Sequence, residues 1–321
     1  MVRLLTFIFT FLFSVSGFSA SEETVQLPYR VEMLKPIIFS VKYLEQEAGV
    51  SIGISEDFFL TPLRSSKESV IYSVESAGAR IDHMKGLPPS LEPVLKKLIE
   101  QASGLSYEYA ADGTGYPLKV VASKEINTFM KKMASTLDDW LDKFAESKNI
   151  DSQLKSQMQS VLDEGMAPLL TKDDEELSRL ILNELELIFA VTGRNLYIDY
   201  GTVYDNTRYF DDGELYMHTQ DEWLVENQDK KGKNISISMS STLHPEKHPE
   251  FVESLRENLK GEYSKEDVNA IVDIWANMEL SRQSSYEVDM TTGLPTSGQI
   301  TSKTVFNGEQ KLQKLEFTSS Y

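Results

Sequence analysis

The chain contains no cysteine among its 321 residues. Disulfide bonds, cysteine-ligated metals, a thiol nucleophile and lipid attachment through an N-terminal cysteine are therefore all excluded. A secreted animal domain of this size often carries disulfide bonds, so their absence favours an exported bacterial protein of the Gram-negative kind.

Basic residues are also scarce. The chain has 32 lysines and arginines against 50 aspartates and glutamates, which gives a formal net charge of −18 at pH 7. Nucleic acids and anionic lipid headgroups bind patches rich in lysine and arginine. The one basic cluster of more than two residues is Lys230, Lys231 and Lys233. We therefore expect no nucleic-acid partner.

Long hydrophobic runs are missing as well, except at the start of the chain. Arg3 gives a positive beginning, Leu4–Val15 is almost wholly apolar, and small residues follow at Ser19 and Ala20. These are the three regions of a secretory signal peptide, and the apolar run is short for a permanent membrane anchor. Residues 1–20 therefore predict export to the periplasm or beyond, with no transmembrane segment left after cleavage.

The rest of the chain, residues 21–321, alternates between strand-like and helical patterns. Runs such as Ile37–Tyr43 and Gln299–Phe306 are rich in β-branched and aromatic residues, whereas residues 123–192 carry apolar stripes with a period of 3.6. Strands divided by a run of helices predict an α+β fold. We expect a single domain with a mainly antiparallel, curved β-sheet packed on amphipathic helices, and a three-helix insertion at about 123–192.

Two turn motifs support this architecture. Asp112-Gly113 lies between two strand-like runs, which is a strong hairpin signal because glycine accepts a positive φ. A second D-x-x-T-G-x-P turn runs from Asp289 through Pro295. This layout resembles uncharacterised exported bacterial proteins that combine an antiparallel sheet with a helical insertion. The resemblance implies a sheet wrapped on helices, and it implies no activity and no site residues.

Tyrosines are concentrated in one strand-like region. A tyrosine has an apolar ring and a polar tip, so it suits ligand clefts and protein interfaces. Ordinary packing in a sheet explains the same composition. The candidate ligand-binding residues are Tyr197, Tyr200, Tyr204, Tyr209 and Tyr216.

Two of the four histidines lie close together in sequence. His244 and His248 are four residues apart, a spacing that places two imidazoles on one face of a helix and lets them share a metal ion. Pro249 suits the first position of a helix, which would make His248 a cap residue and leave His244 outside. A metal site and an exposed helix lead-in are therefore both open interpretations.

Motifs for catalysis and cofactor binding are sparse. Gly49–Gly53 matches G-x-S-x-G, but a hydrolase serine needs a helix directly after it, and Ser51 lies in a strand-like stretch. The chain contains no phosphate-binding loop and no dinucleotide fingerprint. We therefore predict no cofactor, and the sequence favours a protein that is not an enzyme.

Three functions remain open from the sequence. The favoured one is an exported, soluble, non-enzymatic module that binds an apolar ligand or a protein partner in the cell envelope, since methionines such as Met130 and Met133 adapt to varied apolar surfaces. The second is a periplasmic hydrolase with a carboxylate or serine site. The third is an inhibitor or immunity-type protein whose acidic surface pairs with a basic partner.

Overall fold

A computed structural model of the protein describes residues 24–320, apart from 67, 88, 90, 123, 172–173, 199, 211–214, 229–232 and 261–262. The signal peptide expected at residues 1–20 lies outside the described residues, so it stays a prediction. Within the described residues, no helix is both long and apolar enough to cross a membrane.

The described residues form thirteen strands and six helices. The strands are β1 (Thr24–Gln26), β2 (Ile37–Glu47), β3 (Val50–Ser65), β4 (Ser69–Lys85), β5 (Ser106–Asp112), β6 (Pro117–Ala122), β7 (Asn195–Tyr197), β8 (Thr202–Phe210), β9 (Leu215–Gln228), β10 (Asn234–Leu243), β11 (Glu279–Asp289), β12 (Pro295–Phe306) and β13 (Glu309–Ser320). The helices are α1 (Glu92–Ala102), α2 (Lys124–Lys148), α3 (Ser152–Thr171), α4 (Asp174–Ile188), α5 (Lys247–Leu259) and α6 (Lys265–Ala276).

Eleven of these strands form one antiparallel sheet in the order β6-β5-β4-β3-β2-β13-β12-β11-β10-β9-β8. The sheet is curved and unclosed, and the short strands β1 and β7 pair separately. Helices α2, α3 and α4 follow one another between β6 and β7. The prediction of an α+β fold with a mainly antiparallel, curved sheet and helices is therefore confirmed.

The last strand joins the two halves of the sheet. Strand β13 pairs with β2 on one side, in the register Phe317↔Val41, and with β12 on the other, in the register Phe317↔Gly298. Strands β2–β6 lie on one side of β13 and strands β8–β12 lie on the other. The two halves of the main sheet are therefore connected through β13.

The core lies between the concave face of the sheet and helix α4. The ring of Phe39 stacks on Phe58 at 5.0 Å and meets the edge of Phe189, which directly follows α4, at 5.6 Å. Phe317 of β13 lies 6.3 Å from Phe39. These four residues are buried and belong to one core cluster, so α4 and the centre of the sheet share a single apolar contact.

Two turns with similar sequences hold the segment that precedes β2. Gly115 and Gly293 have φ angles of 89° and 74°, which favour glycine. A Cβ atom at Gly115 would collide with the Tyr29 ring, and one at Gly293 would collide with the Pro28 carbonyl. The β5–β6 hairpin therefore contacts Tyr29 and the β11–β12 hairpin contacts the adjacent Pro28, and both hairpins belong to the main sheet.

One strand is longer than its sequence indicates. The polar residues between His218 and Trp223 divide the apolar pattern and predict two short strands, but β9 runs unbroken from Leu215 to Gln228. Asp221, at the centre of this polar stretch, is buried and accepts a hydrogen bond from the Asn206 side chain of β8. Pairing with a polar partner therefore lets a carboxylate occupy a core-facing strand position.

Replacing Phe39 tests the central contact. We expect Phe39→Ala to lower the free energy of unfolding by about 3–5 kcal/mol, because it leaves a cavity among three other rings. Ile38→Ala is the matched control, since Ile38 lies on the opposite face of the same strand with 37% of its surface exposed. The control should lose less than about 1 kcal/mol in urea denaturation. Equal losses would contradict this placement of the core.

Candidate functional site

Beyond the aromatic contact, the concave face of the sheet becomes polar. Alternate residues of a strand share a face, so Tyr43 and Glu45 lie on the same side of β2 as Phe39. Glu56 pairs with Val41 and Tyr107 pairs with Val74, which places both on this face. We define the concave cluster as Tyr43, Glu45, Glu56, Tyr107, Glu184 and Gln313.

Helix α4 supplies Glu184 to this cluster. Leu185 and Ile188 of α4 are buried against the sheet, and Glu184 lies one turn before Ile188 on the same side of the helix. Burial and repulsion from Glu56 raise the pKa of Glu184 from 4.5 to about 7. Its carboxylate forms no hydrogen bond or ion pair within the part of the chain that the structure describes.

One side of the concave cluster is fully hydrogen-bonded. The Tyr43 hydroxyl donates to Glu45 Oε2 at 2.6 Å, and Gln313 Nε2 donates to the same oxygen at 2.9 Å. Lys311 Nζ lies 3.2 Å from Glu45 Oε1. Burial acts to raise the pKa of Glu45, but these three partners bring it below its ordinary value. Glu45 is therefore ionised, and Tyr43, Gln313 and Lys311 stabilise its charge.

On the other side of the cluster, the polar side chains have fewer hydrogen-bond partners. Ser76 Oγ donates to Glu56 Oε2 at 3.1 Å, yet burial raises the pKa of Glu56. Burial and the charges of Glu184 and Glu56 raise the pKa of Tyr107. The carboxylates of Glu56 and Glu184 thus lie close enough to interact electrostatically, and they repel each other when both are ionised.

Glu184 combines desolvation with accessibility. Its side chain is exposed, while Tyr43, Glu56 and Tyr107 around it are partly buried. We call the place on the concave face where these side chains meet α4 the recess.

Next to the concave cluster, the same face of β3 and β4 carries four apolar side chains. Ile54 pairs with Tyr43 and with Ile81, and Ile52 pairs with Glu45 and with Met84, so all four apolar residues share the face of the cluster. Each of them is only partly buried. We call Ile52, Ile54, Ile81 and Met84 the apolar strip.

A buried hydroxyl group adjoins the cluster. Tyr109 lies two residues after Tyr107 on the same face of β5, is fully buried, and stacks on Tyr72 at 5.3 Å. Its hydroxyl has no hydrogen-bond partner among the described residues. A buried hydroxyl without a partner is costly and calls for an explanation.

The tyrosines that the sequence singles out lie elsewhere in the fold. Tyr197 and Tyr200 stack at 5.0 Å, and Tyr200 is exposed. Tyr209 and Tyr216 are partners in the backbone register of β8 and β9, and their side chains lie outside the described part of the chain. None of these residues belongs to the concave cluster, and their role in binding stays a prediction.

Tyr204, the remaining tyrosine of that set, has a structural contact. Its hydroxyl donates to the Asn195 carbonyl at 2.8 Å. The guanidinium of Arg194 lies 4.9 Å from the Tyr204 ring and 4.3 Å from the Trp223 ring. Tyr204 therefore helps to enclose a partly buried cation, and a role in ligand binding is again only predicted.

His244 caps a helix. Its Nδ1 accepts hydrogen bonds from the backbone N–H groups of Glu246 and Lys247, both at 3.2 Å, and its Nε2 lies 3.4 Å from Asp205 Oδ1. Both ring nitrogens are therefore engaged by neighbouring residues.

His248 lies inside helix α5, which begins two residues before Pro249. The interpretation of His248 as a cap residue is therefore wrong, because Glu246 occupies the cap position and the His244 side chain accepts hydrogen bonds from the first backbone N–H groups. Burial lowers the pKa of His248, and its ring stacks on Phe251. Within the described ranges, no three histidine, aspartate or glutamate side chains group as a metal site needs. The site of His244 and His248 stays a prediction.

A shallow depression of about 380 Å³ lies on the opposite face of the sheet, across β9–β12. Its lining includes Ser238, Ser240, Gln283 and Gln299. These residues alternate with the core-facing ones along each strand, so they belong to the solvated face of the sheet. We regard the recess beside Glu184 as the stronger candidate, because it combines apolar walls with unbalanced polar groups.

The sequence contains a signal for this recess. Glu184 follows Ile181 by three residues and precedes Ile188 by four, so it interrupts the apolar stripe of α4. Glu56 stands between Ile54 and Phe58 in the alternation of β3. A carboxylate at a core-facing position is a strong indication of function or of a partner.

Comparisons with known proteins leave the family open. No protein-family model matches the chain, and no curated protein matches it in sequence. A solved structure of lipovitellin, described for its lipid–protein interactions, matches over 91% of this chain with 7% identity and a TM-score of 0.43. The chain spans 26% of that lipovitellin chain.

A porin-like protein from Bacteroides uniformis matches over 91% of this chain and 100% of its own, with 10% identity and a TM-score of 0.17. Neither similarity is close enough to carry an argument about function.

The raised pKa of Glu184 predicts a pH-dependent stability. Between its unfolded value of 4.5 and its folded value of about 7, the folded state binds more protons than the unfolded state. The contribution of Glu184 to stability therefore falls as the pH rises through this window. We expect Glu184→Gln to flatten the fall in urea midpoint between about pH 5 and pH 8.

Glu75→Gln is the control for this experiment, because Glu75 is exposed on the other face of β4, next to Ser76. It should keep the pH dependence of the wild type. A Glu184→Gln protein with the same pH dependence as the Glu75→Gln protein would show that Glu184 ionises normally.

Proposed function

We propose that the protein is an exported binding module that holds an apolar ligand with a polar head group on the concave face of its sheet. The observation that carries this proposal is Glu184, an accessible carboxylate of the concave cluster that has no hydrogen-bond or ion-pair partner among the described residues. The head group would lie against the concave cluster, and the apolar part would lie along the strip of Ile52, Ile54, Ile81 and Met84.

The apolar strip supports a ligand with a hydrocarbon part. Four partly buried aliphatic side chains share one face of β3 and β4, beside the recess. Removing their remaining surface from water stabilises a complex by about 25 cal/mol per Å² of apolar area. A polar group on the same ligand would fix its orientation, since ligand sites combine apolar walls with few polar contacts.

A hydrolase is the second candidate, and one observation favours it. A carboxyl group with a pKa of about 7 beside a second carboxylate is suited to general acid catalysis at neutral pH. Glu56 would be the partner in that case. The hypothesis of an inhibitor with a basic partner rests on the acidic composition alone.

The export of the protein rests on residues 1–20. Fusing residues 1–40 to an alkaline phosphatase that is active only outside the cytoplasm tests it in a Gram-negative host. We expect phosphatase activity from the fusion, and its loss when Leu12→Arg interrupts the apolar run. Activity that is equally low in both fusions would contradict export.

Binding on the apolar strip can be tested with the fluorescent probe 1-N-phenylnaphthylamine, whose emission rises in apolar sites. We expect the wild type to bind the probe and Met84→Glu to weaken binding by about tenfold, because a charge in the strip must be desolvated. Leu118→Glu is the matched control, since Leu118 is 55% exposed on the edge strand β6 and lies outside the strip.

The Leu118→Glu protein should bind the probe like the wild type, and circular dichroism should show that both variants are folded. Equal loss of binding in the two variants, or no binding by the wild type, would overturn the proposed function. Hydrolysis of chromogenic esters that disappears in Glu184→Gln would favour the hydrolase instead.

A further inference from the structure

The face of the sheet opposite the concave cluster carries a hollow of its own, the depression of about 380 Å³ across β9–β12. Small side chains alternate with long ones along its lining: Ser238 is the register partner of Leu224, and Ser240 is the register partner of Gln283. The serines leave the space that the longer side chains enclose. The volume lies in the range of small-molecule sites, about 300–1,000 Å³.

Four polar side chains of the depression have no hydrogen-bond partner within the described part of the chain. They are the hydroxyl groups of Ser240, Ser285 and Thr301 and the amide group of Gln283. Ser240 pairs with Gln283, and Gln283 pairs with Thr301, so these three residues form one row across β10, β11 and β12. Because neighbouring strands lie about 4.8 Å apart, one small ligand can contact the whole row.

Charge is confined to the edge of the depression. Among the described residues that line it, only Glu222 is ionisable. Beyond the lining, Lys314 and Glu316 of β13 are the register partners of Thr301 and Gln299, and their charges are opposite. The floor of the depression is therefore polar and uncharged.

An exposed apolar edge lies beside Glu222. Leu224 lines the depression and is exposed. Val203 of β8 is the register partner of Glu222 and is exposed as well, so it lies on the same face of the sheet. The site thus combines hydroxyl and amide groups with aliphatic surface, which suits a ligand that carries both hydroxyl groups and C–H surface.

We infer that this depression is a second binding site and that its ligand is a neutral saccharide. Serine and threonine hydroxyl groups and a glutamine amide each donate and accept hydrogen bonds, and the hydroxyl groups of a sugar do the same. The row of Ser240, Gln283 and Thr301 would bind the sugar hydroxyls, and Leu224 would contact the C–H face of the ring. The site lies on a different face from the proposed apolar ligand and does not depend on it.

Charged ligands fit this lining less well. A carboxylate only accepts hydrogen bonds and an ammonium group only donates them, so neither matches groups that do both. An anionic sugar would also approach Glu222 and Glu226, and Glu226 already accepts a hydrogen bond from the Ser238 hydroxyl. A cationic sugar would be attracted to these two carboxylates alone, which are exposed and therefore screened by salt.

Isothermal titration calorimetry with trisaccharides of different charge tests the site. Cellotriose and maltotriose are neutral, trigalacturonate is anionic, and the fully deacetylated chitosan trimer is cationic. In about 0.15 M NaCl, where exposed charges are screened, we expect at least one neutral trisaccharide to bind with a Kd of about 1 mM or lower. It should bind at least about tenfold more tightly than either charged trisaccharide.

Two variants with the same substitution separate the depression from the rest of this face. Ser240→Leu should weaken binding by at least about tenfold, because it fills the floor and removes a hydroxyl group. Ser40→Leu is the matched control, since Ser40 is exposed on the same face of β2 and lies outside the depression. The control should keep the wild-type affinity, and circular dichroism should show that both variants are folded.

Each other outcome contradicts the saccharide site. If neither neutral trisaccharide binds, or if Ser240→Leu and Ser40→Leu bind equally well, the site is wrong. If a charged trisaccharide binds more tightly than the neutral ones, the neutral ligand is wrong.

The proposed function is judged separately. Ser240→Leu should bind 1-N-phenylnaphthylamine like the wild type, and Met84→Glu should bind the neutral trisaccharide like the wild type. If either variant loses both ligands, the two sites are not separate and the inference is overturned.

Discussion

The apolar contact between α4 and the concave face of the sheet governs the rest of this structure. The ring of Phe39 contacts Phe58 and Phe317 of two other strands, and it contacts Phe189 at the end of the helix. The Tyr286 hydroxyl donates to the Leu187 carbonyl at 2.9 Å and fixes the same helix end to β11. A curved sheet without this helix would leave its concave apolar face in water, so curvature and helix stabilise each other.

The same contact creates the recess. One turn of α4 separates Ile188, which is buried, from Glu184, which is accessible. Because the helix packs on the sheet, its interrupted apolar stripe places the Glu184 carboxylate close enough to Glu56 and Tyr107 for their charges to interact. The candidate binding residues are thus the ones that interrupt the apolar patterns of α4 and β3. The apolar residues that keep these patterns hold them in position.

Local sequence patterns account for much of the fold. The Asp112-Gly113 turn and the apolar stripes of α2–α4 are local properties, and both were predictable. The continuity of β9 was not, because the buried Asp221 depends on partners outside its own strand, among them the Asn206 side chain of β8. The strand propensity of a residue does not take account of a side chain in a neighbouring strand.

The recess was even less accessible to sequence reasoning. Glu56 and Glu184 lie more than a hundred residues apart, and their approach depends on the order of strands in the sheet and on the side of α4 that packs against it. The sequence shows that Glu56 and Glu184 each interrupt an apolar pattern, but it does not show that the fold brings the two residues together. The clustered tyrosines drew attention instead, because proximity in sequence is easier to detect than proximity in space.

The central position of β13 has a consequence for how the protein is made. Strands β2 and β13 pair across almost the whole described chain, as in the hydrogen bond from Gln313 Nε2 to Tyr43 at 2.9 Å. Pairings between such distant segments form slowly, because a long loop must close first. Residues 37–320 must therefore all have left the ribosome before this pairing can form and the sheet can be completed. Until then, β2 and β12 each lack a neighbouring strand on one side.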